Sequence, residues 1–191
     1  MRKTPALTTV QTLRMRARQH VDDGSVTAGY AADREMVLKL LNASLATELV
    51  CVLRYRRHHF MASGIHSQSV AQEFLRHSNE EQGHADQIAE RIVQLGGAPD
   101  FAPAGLADRS HAEYIEGHTL LDMIHEDLVA ERIAIDSYRD IIGYLGNQDP
   151  TTRRMLEDIL AVEEEHADEL ADLLVAFPAE EKKSWHTAGS K

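Results

Sequence analysis

The sequence predicts an all-α protein: a four-helix bundle whose second and third helices are joined by a long crossover. Three observations predict it. Ala, Leu, Glu, Gln and Arg dominate between punctuation points, and these residues favour helix. The 11 Gly and 5 Pro gather mostly at a few places, so they mark ends rather than interiors. Four stretches of roughly 27–31 residues then repeat apolar side chains at the helical period.

Residues 1–30 read as a basic N-terminal arm, with weak periodicity at Val10, Leu13 and Ala17. The bundle itself spans 31–177. Its first helix runs from about Asp33 to about Ala62, with stripe Val37, Leu41, Leu45, Glu48, Val52, Tyr55, and stops at Ser63-Gly64. Ser67 or Ser69 is suited to cap the second, whose stripe is Phe74, Ser78, Glu81, Ala85, Ile88, Ile92, Leu95. Gly96-Gly97 and Pro99 end it. The crossover, 97–117, is poor in apolar residues and has room for one short helical turn near Ser110–Ile115. The third helix starts near His118, with Leu121, Ile124, Leu128, Glu131, Ile135, Tyr138, Ile142 and Leu145 on one face, and closes at Gly146-Asn147. Pro150 opens the fourth, which carries Leu156, Ile159, Glu163, His166, Leu170 and Leu173 until Pro178. Residues 178–191 form a polar C-terminal tail. Short first and last turns make two antiparallel hairpins, and the long middle link lets the second run back along the first.

No run reaches the roughly 20 apolar residues of a membrane span, and no secretory signal is evident. One cysteine, Cys51, excludes an intrachain disulfide and a Cys-rich metal knuckle. A cytoplasmic protein is expected. The net charge of −11 is unevenly spread. Residues 1–21 hold Arg2, Lys3, Arg14, Arg16 and Arg18 and no acid, so an acidic body carries a basic arm.

The stripes contain an anomaly. Glu48, Glu81, Glu131 and Glu163 occupy slots whose neighbours one turn away are mostly apolar, and an unpaired core carboxylate is costly. Two of them carry a histidine three residues on, in Glu81-Gln82-Gly83-His84 and Glu163-Glu164-Glu165-His166, on the same helix face. Glu48 and Glu131 are single, and each precedes the next Glu-x-x-His by about one helix length. The two halves of the chain thus repeat one plan. Four carboxylates and two imidazoles suit a pair of iron or manganese ions, with Glu81 and Glu163 as bridges and Glu48 and Glu131 terminal.

A single Glu-x-x-His on an acidic helix usually means a solvated pair; two copies, each with a core Glu one helix upstream, point to metal. Asp122-x-x-His125 lies off the stripe, and Glu164 and Glu165 read as exposed surface. Tyr55 and Tyr138 each lie two turns after the Glu of their own helix, so their hydroxyls are candidates to bond ligand carboxylates, or to be satisfied locally as core aromatics.

Leu45-Ala46-Thr47-Glu48-Leu49-Val50 with Tyr55, Glu81-x-x-His84-Ala85-Asp86 with Ile88, Glu90, Arg91 and Ile92, and Leu95-Gly96-Gly97-Ala98-Pro99 resemble the bacterioferritins. Asp127-Leu128-Val129-Ala130-Glu131 and Glu163-x-x-His166 resemble their second half. The resemblance covers about residues 34–176. It implies a ferritin-like bundle, a ferroxidase site at Glu48, Glu81, His84, Glu131, Glu163 and His166, and storage of ferric mineral in a hollow shell. Bacterioferritins place a haem-ligating Met where this chain has Gln82, so no haem is expected. The basic arm is similar to that of Dps proteins, which form 12-subunit shells. Dps proteins usually build their iron site between subunits, so this chain resembles a Dps-like protein with a bacterioferritin-type site.

The leading expectation is a homo-oligomeric cage that binds two Fe ions per subunit, with manganese as the alternative metal. It oxidises Fe(II) with O2 or H2O2 and keeps the ferric product. The tail after Pro178 does not read as the fifth helix of 24-subunit shells, which favours 12. The alternatives are a di-iron or di-manganese oxidoreductase of oxygenase or catalase type acting on a small substrate, and a DNA-protecting protein binding through residues 1–21.

Overall fold

The computed structural model describes residues 7–64 and 67–177. These form six helices and no strand: α1 (Val10–Arg16), α2 (Arg34–Met61), α3 (Ser67–Gln94), α4 (Leu106–Arg109), α5 (Leu120–Leu145) and α6 (Pro150–Ala176). The four long helices are the expected bundle. The tail from Pro178 lies outside the described residues.

Helix ends follow local chemistry. The Asp33 side chain accepts from Met36 N at 3.1 Å and starts α2. Thr119 and Asp122 form a reciprocal capping box at the start of α5, which gives Asp122 a local role. Asp149 caps α6, with Pro150 at its first turn. Gly96, at φ 75°, ends α3 in the left-handed region. Two expectations need correction. Ser67 is the first helical residue of α3 and Ser69 lies within it, so neither stands at the capping position ahead of the helix. The crossover's helical turn is Leu106–Arg109, whereas residues 110–115 are not helical. Gly105, at φ 71°, starts the turn there, and Ser110 ends it in an extended conformation.

α2 pairs with α3, and α5 with α6; α2·α5 and α3·α6 contacts join the hairpins. The crossover is pinned along α2. Arg54 Nη1 donates to Glu113 O at 2.8 Å, and Asn42 bonds both Ala98 O and Asp100 N. α2 is therefore covered on more sides than a surface helix. By length and composition it could span a membrane, but half of its apolar window is buried in the bundle.

The arm divides in two. Helix α1 has no buried residue, and Leu7, Val10, Leu13 and Met15 are exposed. From Ser25 onward the chain is tied to the bundle. Ser25 Oγ donates to Gln94 O at 2.8 Å, and Tyr30 donates to Asp149 Oδ2 at 2.9 Å.

The core is layered. One apolar layer holds Leu41, Leu45, Ile88, Ile92, Leu145, Leu156 and Ile159. Another holds Tyr55, Phe74, Ile124 and Leu170. The four stripe carboxylates lie between them in the chain order of every long helix.

Candidate metal centre

Each long helix contributes one buried glutamate. Glu48 comes from α2, Glu81 from α3, Glu131 from α5 and Glu163 from α6, each 1% exposed. His84 and His166 follow on α3 and α6, also buried. The i, i+3 spacing puts each histidine on the face of its glutamate.

The six side chains converge. His84 Nδ1 lies 3.0 Å from Glu163 Oε1, 3.3 Å from Glu81 Oε2 and 3.5 Å from Glu48 Oε2. His166 Nδ1 lies 3.1 Å from Glu81 Oε1, 3.6 Å from Glu163 Oε2 and 3.9 Å from Glu131 Oε1. The donor atoms form two sets, each within 4.8 Å: Glu48, Glu81, His84, Glu163 and Glu81, Glu131, Glu163, His166. Glu81 and Glu163 belong to both, Glu48 and Glu131 to one each.

One ring nitrogen has at most one proton to donate, yet each Nδ1 faces three carboxylates. Both oxygens of Glu163 and Glu48 Oε2 are buried without a hydrogen bond. Buried oxygens left in this way are suited to a cation. The donor set, all oxygen and imidazole nitrogen, suits iron, manganese or zinc.

The two tyrosines cross the bundle. Tyr55 of α2 donates to Glu131 of α5, and Tyr138 of α5 donates to Glu48 of α2. Each binds the glutamate of the facing helix, not that of its own.

Electrostatics without metal divides the carboxylates into two kinds. Burial, and then the Glu81 charge, pushes the Glu48 carboxyl up to about 8. Burial pushes Glu131 well above the usual carboxylate range. Burial also opposes ionisation of Glu81 and Glu163, but the two histidines outweigh it and hold both low. Against burial, Glu163 and Glu81 lift His166 to about 10, and His84 is raised further by Glu163, Glu48 and Glu81. Two ionised glutamates thus face two imidazolium rings, with the outer glutamates neutral.

Several neighbours are invisible in the sequence pattern. Asp127, one turn before Glu131, is fully buried between Arg54 Nε and His58 Nδ1, each at 2.8 Å. His166 Nε2 meets Glu80 Oε2 at 2.9 Å. His77 stacks on His166 with ring centroids 4.0 Å apart. Glu80 sits beside a core ligand and reads as helix surface; no periodicity singles it out. Gln82 lies on the exposed side of α3 and donates to Asp86 Oδ1. Glu164 pairs with Arg139 on the surface.

The ferritin-like domain family matches residues 38–179. The bacterioferritin of Mycobacterium avium is 33% identical over 135 residues, 70% of this chain and 80% of that protein. A nutrient stress-induced DNA-binding protein from a Nostoc species is 33% identical over 155 residues, 80% of each chain. Among solved structures, the bacterioferritin-related protein of Bacteroides fragilis, a dodecameric thioferritin, aligns with TM-score 0.74. It is 28% identical, over 84% of this chain and 94% of that one. Dps from Thermosynechococcus elongatus shares the fold, with TM-score 0.71 at 22% identity over 76% of this chain and 93% of that one.

Proposed function

The chain belongs to the ferritin-like family, and from that premise we propose that it oxidises Fe(II) at the six-residue cluster and stores the ferric product in a homo-oligomeric shell. One observation carries the proposal: the two donor sets share Glu81 and Glu163 and no other residue. Two Fe(II) are the substrate. Each takes one histidine and one outer glutamate, and Glu81 and Glu163 bridge. Each iron yields one electron. O2 takes two electrons and two protons to become H2O2, or H2O2 takes the same to become two waters. Tyr55 and Tyr138 hold the outer carboxylates in place for that pair.

The alternative is a small-substrate oxygenase or catalase of the same fold; the family match and the bacterioferritin relatives favour storage. By likeness to the dodecameric relative we expect 12 subunits. The single buried Cys51 suits a reducing cytoplasm.

An anaerobic Fe(II) titration, followed by O2 or H2O2 with light scattering before and after, tests this reading. The expected result is saturation at two Fe(II) per chain, rapid oxidation, and a large closed oligomer that retains iron. A stable monomer that oxidises iron and releases it sinks storage and supports the small-substrate enzyme.

A second reading rests on α1. Its exposed Arg14 and Arg16, with Arg18 beyond, suit the DNA backbone. Duplex binding at low salt should fall when residues 1–21 are deleted. Unchanged affinity removes this reading.

A further inference from the structure

The two metal positions have matching ligands but different surroundings. Behind the Glu131–His166 position stands a second tier of polar groups. His166 Nε2 bonds Glu80 Oε2 at 2.9 Å. Glu80 is fixed by Arg76 Nη1, at 3.1 and 2.9 Å to its two oxygens. Arg76 Nη2 bonds Glu73 and Glu169 as well, so the guanidinium is held from α3 and α6 together. On the same side His77 covers the His166 ring, stacked at an interplanar angle of 17°. Its Nδ1 lies 3.2 Å from the Tyr55 hydroxyl, and its Nε2 lies 3.0 Å from Glu169 Oε2.

The Glu48–His84 position lacks this tier. Tyr138 bonds Glu48, but Glu48 Oε2 has no hydrogen bond. Among the described residues no group bonds His84 Nε2, and the His84 side chain is 7% exposed against 0% for His166.

We propose that Glu80, set by Arg76, is a positioning residue for His166, and that it makes the Glu131–His166 position the tighter and first filled of the two. The inference rests on the di-metal reading of the same cluster. A carboxylate accepting from Nε2 fixes the imidazole tautomer, turns the Nδ1 lone pair to the metal and raises its basicity. An anchored ring also has less motion to lose on binding. Such outer partners are worth about 10–100-fold in metal affinity. The Glu48–His84 position, with an unanchored imidazole near the surface, exchanges its ion first. A purely structural surface network would tie α3 to α6 without favouring either position.

The test uses Co(II), an air-stable probe whose visible absorption reports its ligands. The full-length parent, Glu80→Ala, Glu80→Gln, His84→Ala and His166→Ala are titrated, and melting curves are recorded alongside. The parent should bind two equivalents in two phases. His84→Ala should lose the weak phase and His166→Ala the tight one. Glu80→Ala should weaken the tight phase by about 10–100-fold and leave the weak phase unchanged. Glu80→Gln, whose amide oxygen can still accept from Nε2, should recover part of the loss. Glu80→Ala that leaves both phases at parental affinity, or weakens both equally, overturns the proposal. A parent that binds no Co(II), or whose binding ignores both histidine changes, overturns the di-metal reading and the proposal with it. Glu80 is 37% exposed, so its replacement does not open the core.

Discussion

The apolar and carboxylate layers of this bundle are built on the same helices, one or two turns apart. In the apolar layer Leu45, Ile88, Leu156 and Ile159 are fully or almost fully buried and ask nothing of one another but fit. In the carboxylate layer Glu48, Glu81, Glu131 and Glu163 are as deeply buried. There burial costs free energy, and only paired histidines, two crossing tyrosines and protonation make it tolerable. The apolar layers hold the bundle, so the middle layer is free to be unfavourable without cations, as the proposed metal site requires. Stability and function thus occupy different turns of the same helices, and they should be separable by substitution.

The largest effect should come from the shared glutamates. Glu81→Ala and Glu163→Ala should each slow Fe(II) oxidation at least about 100-fold in stopped-flow, because outer partners alone are worth about 10–100-fold. Circular dichroism should still report a helical bundle. Loss of helix in both variants would show that the middle layer is needed for folding and would erase the division.

Leu156→Ala makes the opposite cut. Its side chain is fully buried in the apolar layer, so the variant should lose about 2–5 kcal/mol of stability in denaturant unfolding. Its oxidation rate, measured well below its melting temperature, should match the parent. A parallel loss of rate would mean that the layers are coupled.

Acidity sharpens the contrast. Without metal, Glu48 is protonated up to about 8 and His166 up to about 10, both above their ordinary values. A raised pKa gives stability that is present at low pH and lost as pH rises through it. The lowered pKa values of Glu81 and Glu163 act below the ordinary carboxylate range and do not enter this window. His77, lowered to about 3 chiefly by burial, gives a smaller opposing gain as pH rises through its ordinary value. The metal-free protein should therefore melt lower at pH 8 than at pH 5.5. Saturating metal should reverse the sign, because it displaces the same protons. A metal-free melting temperature that rises over this range would contradict the electrostatics.

The smallest effect belongs to Glu164→Ala. This residue is the next one along from a shared glutamate, but it is half exposed and paired to Arg139. Oxidation should be parental and stability within about 0.5 kcal/mol. A large loss of rate would place the metals elsewhere.

Much of this architecture is legible in the sequence because both signals are local. A glutamate in a slot that the helical period reserves for Leu or Ile stands out by itself. Gly64, Gly96 and Gly146 mark helix ends through backbone conformation alone. What periodicity cannot give is the neighbour across a helix pair. It places Tyr55 on the face of Glu48, while the fold delivers its hydroxyl to Glu131. It has no means to join Arg54 and His58 to Asp127, since their pairing depends on how α2 meets α5. Glu80 and Glu164 look alike in sequence, each adjacent to a shared glutamate. Only packing of α6 against α3 puts Glu80 under His166 and leaves Glu164 on the surface. The docking of residues 25–30 on the bundle end is hidden for the same reason, because Tyr30 finds Asp149 more than a hundred residues away.

The central claim is that one layer of the bundle holds two metals through shared Glu81 and Glu163. Crystals soaked anaerobically in Fe(II) or in Mn(II), with anomalous difference maps at the metal edge, test it most directly. The account predicts two peaks per chain, about 3.5–4 Å apart. One should lie among Glu48, Glu81, His84 and Glu163, the other among Glu81, Glu131, Glu163 and His166. A single peak, or peaks only at the half-buried cluster of Glu73, His77 and Glu169, would contradict it.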